Sequence, residues 1–208
     1  MRALHIDGER LTLTDLREVV YERRAVLLAP DAREKVFASR RVVEELVQAN
    51  RVAYAVTTGV GKLSDVRIAS DQIRELQLNL LRSHAVGVGS PLSEPVTRAM
   101  ILLRANSLAK GFSGVRPAVI DALCEMVNRG VHPVIPSQGS VGASGDLAPL
   151  AHLALVLVGE GAAKYQGRHL RGADAMFAAQ VKPLALEAKE AISLINGTQA
   201  MLAIGTLS

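Results

Sequence analysis

Residues 147–158, LAPLAHLALVLV, are apolar on nearly every side at helical spacing. A helix of that kind is stable in water only when other elements enclose it, so the chain must build a shell of structure around this segment. Its 208 residues suffice for one large domain or one and a half, at about 150 residues per domain. With 49% hydrophobic and 21% charged residues it is globular rather than disordered. The longest apolar runs, 147–158 and 194–207, carry a histidine or several polar residues and stop short of the roughly 20 residues of a membrane span. Lys and Arg exceed Asp and Glu by only 24 to 20, the charges are interspersed, and three Tyr, three Phe and no Trp offer little for stacking bases. Neither a membrane nor a nucleic acid is expected as the main partner. The start, MRALHIDGERLTL, has no signal-peptide pattern, and Cys124 has no second cysteine to pair with; both point to the cytoplasm.

The periodicity along the chain is mainly helical. Residues 3–7 and 10–13 flank Gly8 as a short hairpin would, after which Thr14 or Asp15 caps a helix through Leu16, Val19 and Val20. Asp31 with Glu34 resembles the capping box of a second helix reaching Asn50. Residues 54–64, with Gly59 and Gly61, read as a loop, and a helix over about 71–85 then aligns Leu76, Leu80 and His84. Ser93 caps a helix to Lys110, and another runs over 117–128 to a stop at Gly130. The segment 132–145, HPVIPSQGSVGASG, contains two prolines and three glycines and cannot be a regular element. Asp146 then caps the apolar helix, a small hairpin turns at Gln166 and Gly167, and a helix over 187–195 halts at Asn196 and Gly197.

Several familiar motifs fail. Gly61-Lys62 lacks the earlier glycine, Val56 standing in its place, and Leu63 replaces the hydroxyl residue of a phosphate-binding loop. Gly87-Val88-Gly89 lacks a third glycine at Leu92 and follows a helix, which excludes a dinucleotide fingerprint. His5, His84, His132, His152 and His169 show no metal-ligand spacing, so no metal is expected. What remains is SQGSVGASGDLAPL, which by itself is as readily a surface loop as a site. Held in a tight bend, however, Gly145 has no Cβ to keep its nitrogen from the Ala143 carbonyl carbon. Closure with loss of water gives a five-membered imidazolone, and loss of the Ser144 hydroxyl as a second water leaves an exocyclic methylene. That product is an electrophile, an electron sink for which enzymes otherwise recruit a cofactor.

In this context five blocks resemble the aromatic amino-acid ammonia-lyase family. They are YAVTTGVGKL at 54–63, LQLNLLRSHAVGVG at 76–89, RANSLAKGFSGVRP at 104–117, PSQGSVGASGDLAPL at 136–150 and LINGTQ at 194–199, in the family's order and spacing. The histidine ammonia-lyase branch is the one they resemble most. The resemblance implies a mainly α chain, the N-terminal portion of an ammonia-lyase-like helical fold with long bundle helices and a few short strands or hairpins. An N-terminal domain, 1–110, would hold the Tyr54 loop, and the start of a central helical domain, 111–208, would carry the Ala-Ser-Gly loop and be truncated at its C-terminal end.

The resemblance further implies that Ala143, Ser144 and Gly145 form 4-methylidene-imidazol-5-one (MIO) autocatalytically, with no external cofactor. Tyr54 is then the catalytic base, on a loop to which Gly59 and Gly61 give freedom. Ser83 and His84 face the substrate side chain, Asn196 hydrogen-bonds the ring and positions the substrate amine, and Asp146 supports cyclisation. On periodicity alone, His84 reads as a satisfied histidine on a buried helix face, Tyr54 as a half-buried aromatic and Asn196 as a helix stop. Thr57 stands where many relatives have Asn, and Val60 where many have an aromatic, which puts the loop's hydrogen bonding in question and leaves Tyr54 in place.

The implied reaction is non-oxidative deamination of L-histidine to trans-urocanate and ammonia, with the substrate amine adding to the methylene and Tyr54 removing the β-proton. Relatives of this type are longer chains that form homotetramers. The end, ISLINGTQAMLAIGTLS, stays apolar to Ser208, so the chain is expected to be a fragment that is inactive alone. The alternatives are a tyrosine or phenylalanine ammonia-lyase, and a non-catalytic helical fragment that associates through its apolar surface.

Overall fold

A computed structural model describes residues 2–59, 68 and 72–208. The chain begins as a strand, β1 (Leu4–Ile6), a helix, α1 (Leu13–Tyr21), and a strand, β2 (Val26–Leu28), with β1 and β2 parallel in the register Leu4 to Val26 and Ile6 to Leu28. The hairpin expected around Gly8 is therefore absent. Asp7 accepts the Glu9 and Arg10 amides at 2.8 and 3.0 Å, a local turn that directs the chain into α1 instead of back along β1. Gly8 lies on the Lys110 backbone, where a Cβ would have no room, and its amide donates to Asn106 at 3.0 Å. Thr12, rather than Thr14 or Asp15, caps α1: its hydroxyl accepts the Asp15 amide at 3.1 Å while the Asp15 carboxylate accepts the Thr12 amide at 3.1 Å. The Asn128 side chain completes the edge of β2 by bonding both backbone groups of Val26 at 2.8 Å.

Helix α2 (Pro30–Gln48) starts at a proline in the first turn, without the expected Asp31 side-chain cap. Three helices follow, α3 (Ile73–His84), α4 (Glu94–Ala109) and α5 (Pro117–Arg129), the last ended by Gly130 in the left-handed conformation. The segment expected to be irregular contributes two short strands. In it, β4 (His132–Pro133) pairs antiparallel with a later strand, and β5 (Pro136–Gln138) pairs antiparallel with β3 (Val88–Pro91). Helix α6 (Leu147–Leu157) is buried from Ala148 to Leu157 except for a half-buried His152, as its composition requires. A hairpin, β6 (Ala162–Tyr165) and β7 (Arg168–Arg171), turns at Gln166 and Gly167, both with positive φ. Helix α7 (Gly172–Ala178), which no sequence pattern marked, leads to α8 (Glu190–Ile195) and α9 (Gln199–Leu207).

One apolar core runs from Leu4 to Ala203. Helix α4 lies within it as deeply as α6, with Ala99, Met100, Ile101, Leu102 and Leu108 all fully buried. Around it pack α1, α5 and α9, while α3 and α8 pack against α6. Among the described residues no helix is long and apolar enough to cross a membrane. This arrangement delivers three chain segments to one end of α6: the residues before it, the α8–α9 junction and the end of α3.

Candidate active site

Residues 142–144 form one turn of 3-10 helix immediately before α6. The Gly145 amide donates to the Gly142 carbonyl at 3.0 Å and the Val141 amide donates back to the Gly145 carbonyl at 2.9 Å, so the segment is a closed bend. Gly145 has φ 132° and ψ 152°, a backbone region open in practice only to glycine. Ala143 and Ser144 are exposed, while Gly145 and Asp146 are buried. The bend thus leaves Ser144 exposed and holds the buried Gly145 amide against the Gly142 carbonyl.

Asp146 occupies the N-cap position of α6 but does not cap it with its side chain. Its carboxylate instead accepts the Ser140 hydroxyl on one oxygen and the Met201 amide, at the start of α9, on the other at 2.9 Å. The Ser140 Oγ in turn accepts the Gly142 amide at 3.0 Å. The Asp146 amide donates to the Gly197 carbonyl at 2.7 Å. Asp146 therefore fastens the bend to the α8–α9 junction, the segment that holds Asn196.

Asn196 is exposed at the C-terminal end of α8, and its own carbonyl accepts Nη1 of Arg104 at 3.0 Å. Arg104, on α4, also donates Nη1 to Gln199 Oε1 at 3.0 Å and Nη2 to the Ser193 carbonyl. It is 4% exposed and, among the described residues, faces no carboxylate, and burial lowers its pKa to about 10.

Ser83 and His84 close α3. The Leu80 carbonyl lies 2.9 Å from His84 Nδ1 and 3.0 Å from Ser83 Oγ, and since a carbonyl can only accept, Nδ1 carries a proton and donates it there. Among the described residues nothing bonds Nε2, and the ring is half-buried. The chain beyond this helix end is tied to the bend's surroundings in two ways. Val88 pairs with Gln138 in the β3–β5 ladder, and His152 of α6 accepts the Gly87 amide on Nε2 at 3.1 Å. Burial lowers the pKa of His152, consistent with that acceptor role.

Tyr54 sits elsewhere along α3. It is 61% exposed on the turn 54–57, whose Val56, with the preceding Ala53, packs in a small apolar cluster with Ile73, the first residue of α3. Ser83 and His84 are at the other end of that helix, about 16 Å from Ile73 along its axis at 1.5 Å per residue. Thr57, the departure noted in the sequence, holds the turn: its Oγ1 accepts the Ala53 amide at 2.9 Å and donates to the Arg51 carbonyl at 2.7 Å. Gly59 is buried at the end of this segment, and Gly61 lies outside the described residues. Of the expected residues, the fold therefore gathers Ala143, Ser144, Gly145, Asp146 and Asn196, and ties the end of α3 to them through Gly87 and β3. Sequence reasoning did not single out Ser140, His152 or Arg104, whose partners lie 6 to 95 residues away.

The family model of aromatic amino acid lyases matches residues 11–208. The chain belongs to this family. Among curated aromatic amino acid lyases, the histidine ammonia-lyase of Koribacter versatilis is 70% identical over all of the chain and 40% of its own length. Two solved structures share the fold. The histidine ammonia-lyase of Trypanosoma cruzi has a TM-score of 0.91 at 37% identity, covering 100% of this chain and 40% of that one. The tyrosine aminomutase of Streptomyces globisporus has a TM-score of 0.92 at 40% identity, covering 99% and 38%. The chain thus spans about two fifths of the length of the relatives it matches.

Proposed function

We propose that this chain is part of a histidine ammonia-lyase, which converts L-histidine to trans-urocanate and ammonia without oxidation. The observation that carries the proposal is the closed bend at Ala143, Ser144 and Gly145. Its exposed serine and its glycine, which has no Cβ to keep the nitrogen from the Ala143 carbonyl carbon, suit ring closure and dehydration of this tripeptide. The likeness to curated histidine ammonia-lyases along the whole chain supports the same reading. The MIO group so formed supplies an electrophile for the substrate amine.

The chain's own residues do the rest in this proposal. Tyr54, exposed on its Thr57-braced turn beside the first residue of α3, takes the β-proton once its loop, whose freedom the resemblance assigns to Gly59 and Gly61, closes over the substrate. His84, with Nδ1 committed to Leu80, offers Nε2 to the substrate imidazole, and Ser83 holds the ring's orientation from 3.1 Å. Asn196, carried next to the bend by the Asp146–Gly197 bond, orients the ring and the amine. Asp146 supports cyclisation by fixing the bend from Ser140 and α9. The groups for the substrate carboxylate come from the rest of a longer protein that assembles as a homotetramer.

Tyrosine and phenylalanine are the competing substrates, and the family likeness to a tyrosine aminomutase keeps them in the test. The full-length protein is expected to form urocanate with kcat/KM at least about 100-fold above its formation of coumarate or cinnamate, because a phenyl ring leaves His84 Nε2 unpaired and a phenol offers its hydroxyl in a different place from an imidazole nitrogen. Preferential coumarate or cinnamate formation reverses the substrate assignment.

A further inference from the structure

Arg104 stands out as a buried cation with no anionic partner among the described residues. Its planar fork meets three oxygens, those of Ser193, Asn196 and Gln199, and its Nε is buried without any hydrogen-bond partner. An apolar side chain of similar size would fill this place on α4 without removing a charge from water. A guanidinium retained there has a geometric task, and the oxygens it grips identify it. Two are carbonyls at the C-terminal end of α8, where a cation is favoured by the unpaired carbonyl ends. The third begins α9. Together they set the path of residues 193–199.

Gly197 supports this independently. It is not among the glycines with positive φ, so its conformation does not demand glycine. A Cβ there would collide with Arg104 Nη1 and Gln199 Oε1. The missing side chain is therefore room for the guanidinium. The same glycine accepts the Asp146 amide at 2.7 Å, so the path from Arg104 to the bend is short: Arg104, the Asn196–Gly197 backbone, Asp146, then Gly145.

We infer that Arg104 is a positioning residue, which fixes Asn196 and, through Gly197 and Asp146, braces the Ala143–Ser144–Gly145 bend from behind. A lysine keeps the charge but cannot span three oxygens as a rigid fork does. The inference rests on the proposed role of Asn196 for its catalytic consequence, and on the hydrogen bonds alone for the brace.

The test uses the full-length protein with Arg104→Lys, Asn196→Ala and the double variant. The expected loss in kcat for Arg104→Lys is about 100-fold, the scale set by a misplacement of about 1 Å. The double variant is expected to be little worse than Asn196→Ala, because both changes spoil one arrangement. Losses that multiply, or wild-type kcat in Arg104→Lys, overturn the positioning role. Amide hydrogen exchange at Asp146 and Asn196 is expected to quicken by about 10-fold or more in Arg104→Lys at unchanged exchange in α5. Unchanged exchange at Asp146 overturns the brace whether or not the protein deaminates histidine, while a wild-type protein that forms no urocanate fails the functional reading alone. Should Arg104→Lys not fold, Gln199→Leu removes one of the three oxygens, and the same cycle and exchange measurement decide the question.

Discussion

His152 Nε2 accepts the Gly87 amide at 3.1 Å, so the helix that leaves the Ala-Ser-Gly bend holds the chain just beyond Ser83 and His84. A Cβ at Gly87 would press on that ring, so the two positions form one fitted contact. Replacing His152 by Ala leaves the Gly87 amide without its partner and is expected to cost about 1 kcal/mol. His152→Gln, which retains an acceptor at a similar reach, is expected to restore most of it. Denaturant unfolding of the three proteins measures both.

His132 gives a pH dependence of known sign. Burial lowers its pKa to about 4; Glu94 opposes the shift and Arg98, Arg23 and Lys164 reinforce it. Its Nε2 lies 3.3 Å from Arg98 Nη1 and therefore accepts. Between pH 6.5 and about 4 the unfolded chain binds this proton and the folded one does not, so stability falls as pH falls through that window. The fall is expected to be on the order of 3 kcal/mol, at about 1.4 kcal/mol per unit. Urea unfolding at pH 7, 5.5 and 4.5 in His132→Gln is expected to show a distinctly shallower slope.

The two helix caps separate position from bonding. Thr12 makes a reciprocal cap with Asp15, whereas Ser93 occupies the corresponding place before α4 without a side-chain bond. Thr12→Ala is expected to cost about 1 kcal/mol and Ser93→Ala a few tenths, read from chemical unfolding midpoints.

Cys124 is buried in α5, and burial, with Asp121 and Glu125 nearby and Arg33 opposing, pushes its thiol up to about 12. At pH 8 its alkylation is expected to proceed only through unfolding. Peptide mass analysis over a denaturant series checks this: the rate should rise in step with the unfolded fraction.

Much of this arrangement is legible in the sequence where local rules decide it. Gly130 ends α5 and Gln166-Gly167 turns a hairpin because positive φ is a local requirement. The apolar circumference of residues 147–157 forces α6 into the core. Pairings between distant segments leave no such mark. Asp7-Gly8 has the composition of a hairpin turn, yet β1 pairs with β2 beyond α1, and β3 finds β5 more than forty residues later. The site divides the same way. The tripeptide bend is readable from Ala143, Ser144 and Gly145, but the spending of the Asp146 carboxylate on Ser140 and Met201, rather than on its own helix, depends on where α9 packs.

The central claim is that Ala143, Ser144 and Gly145 become the electrophile of a deaminating enzyme. Peptide mass analysis of the full-length protein, paired with urocanate formation from L-histidine, tests it directly. The wild-type peptide spanning the bend is expected to be lighter by two waters, and Ser144→Ala is expected to lack that loss and to retain less than about a thousandth of the turnover, since no side chain replaces the electron sink. An unmodified wild-type peptide, or wild-type turnover in Ser144→Ala, would contradict the account.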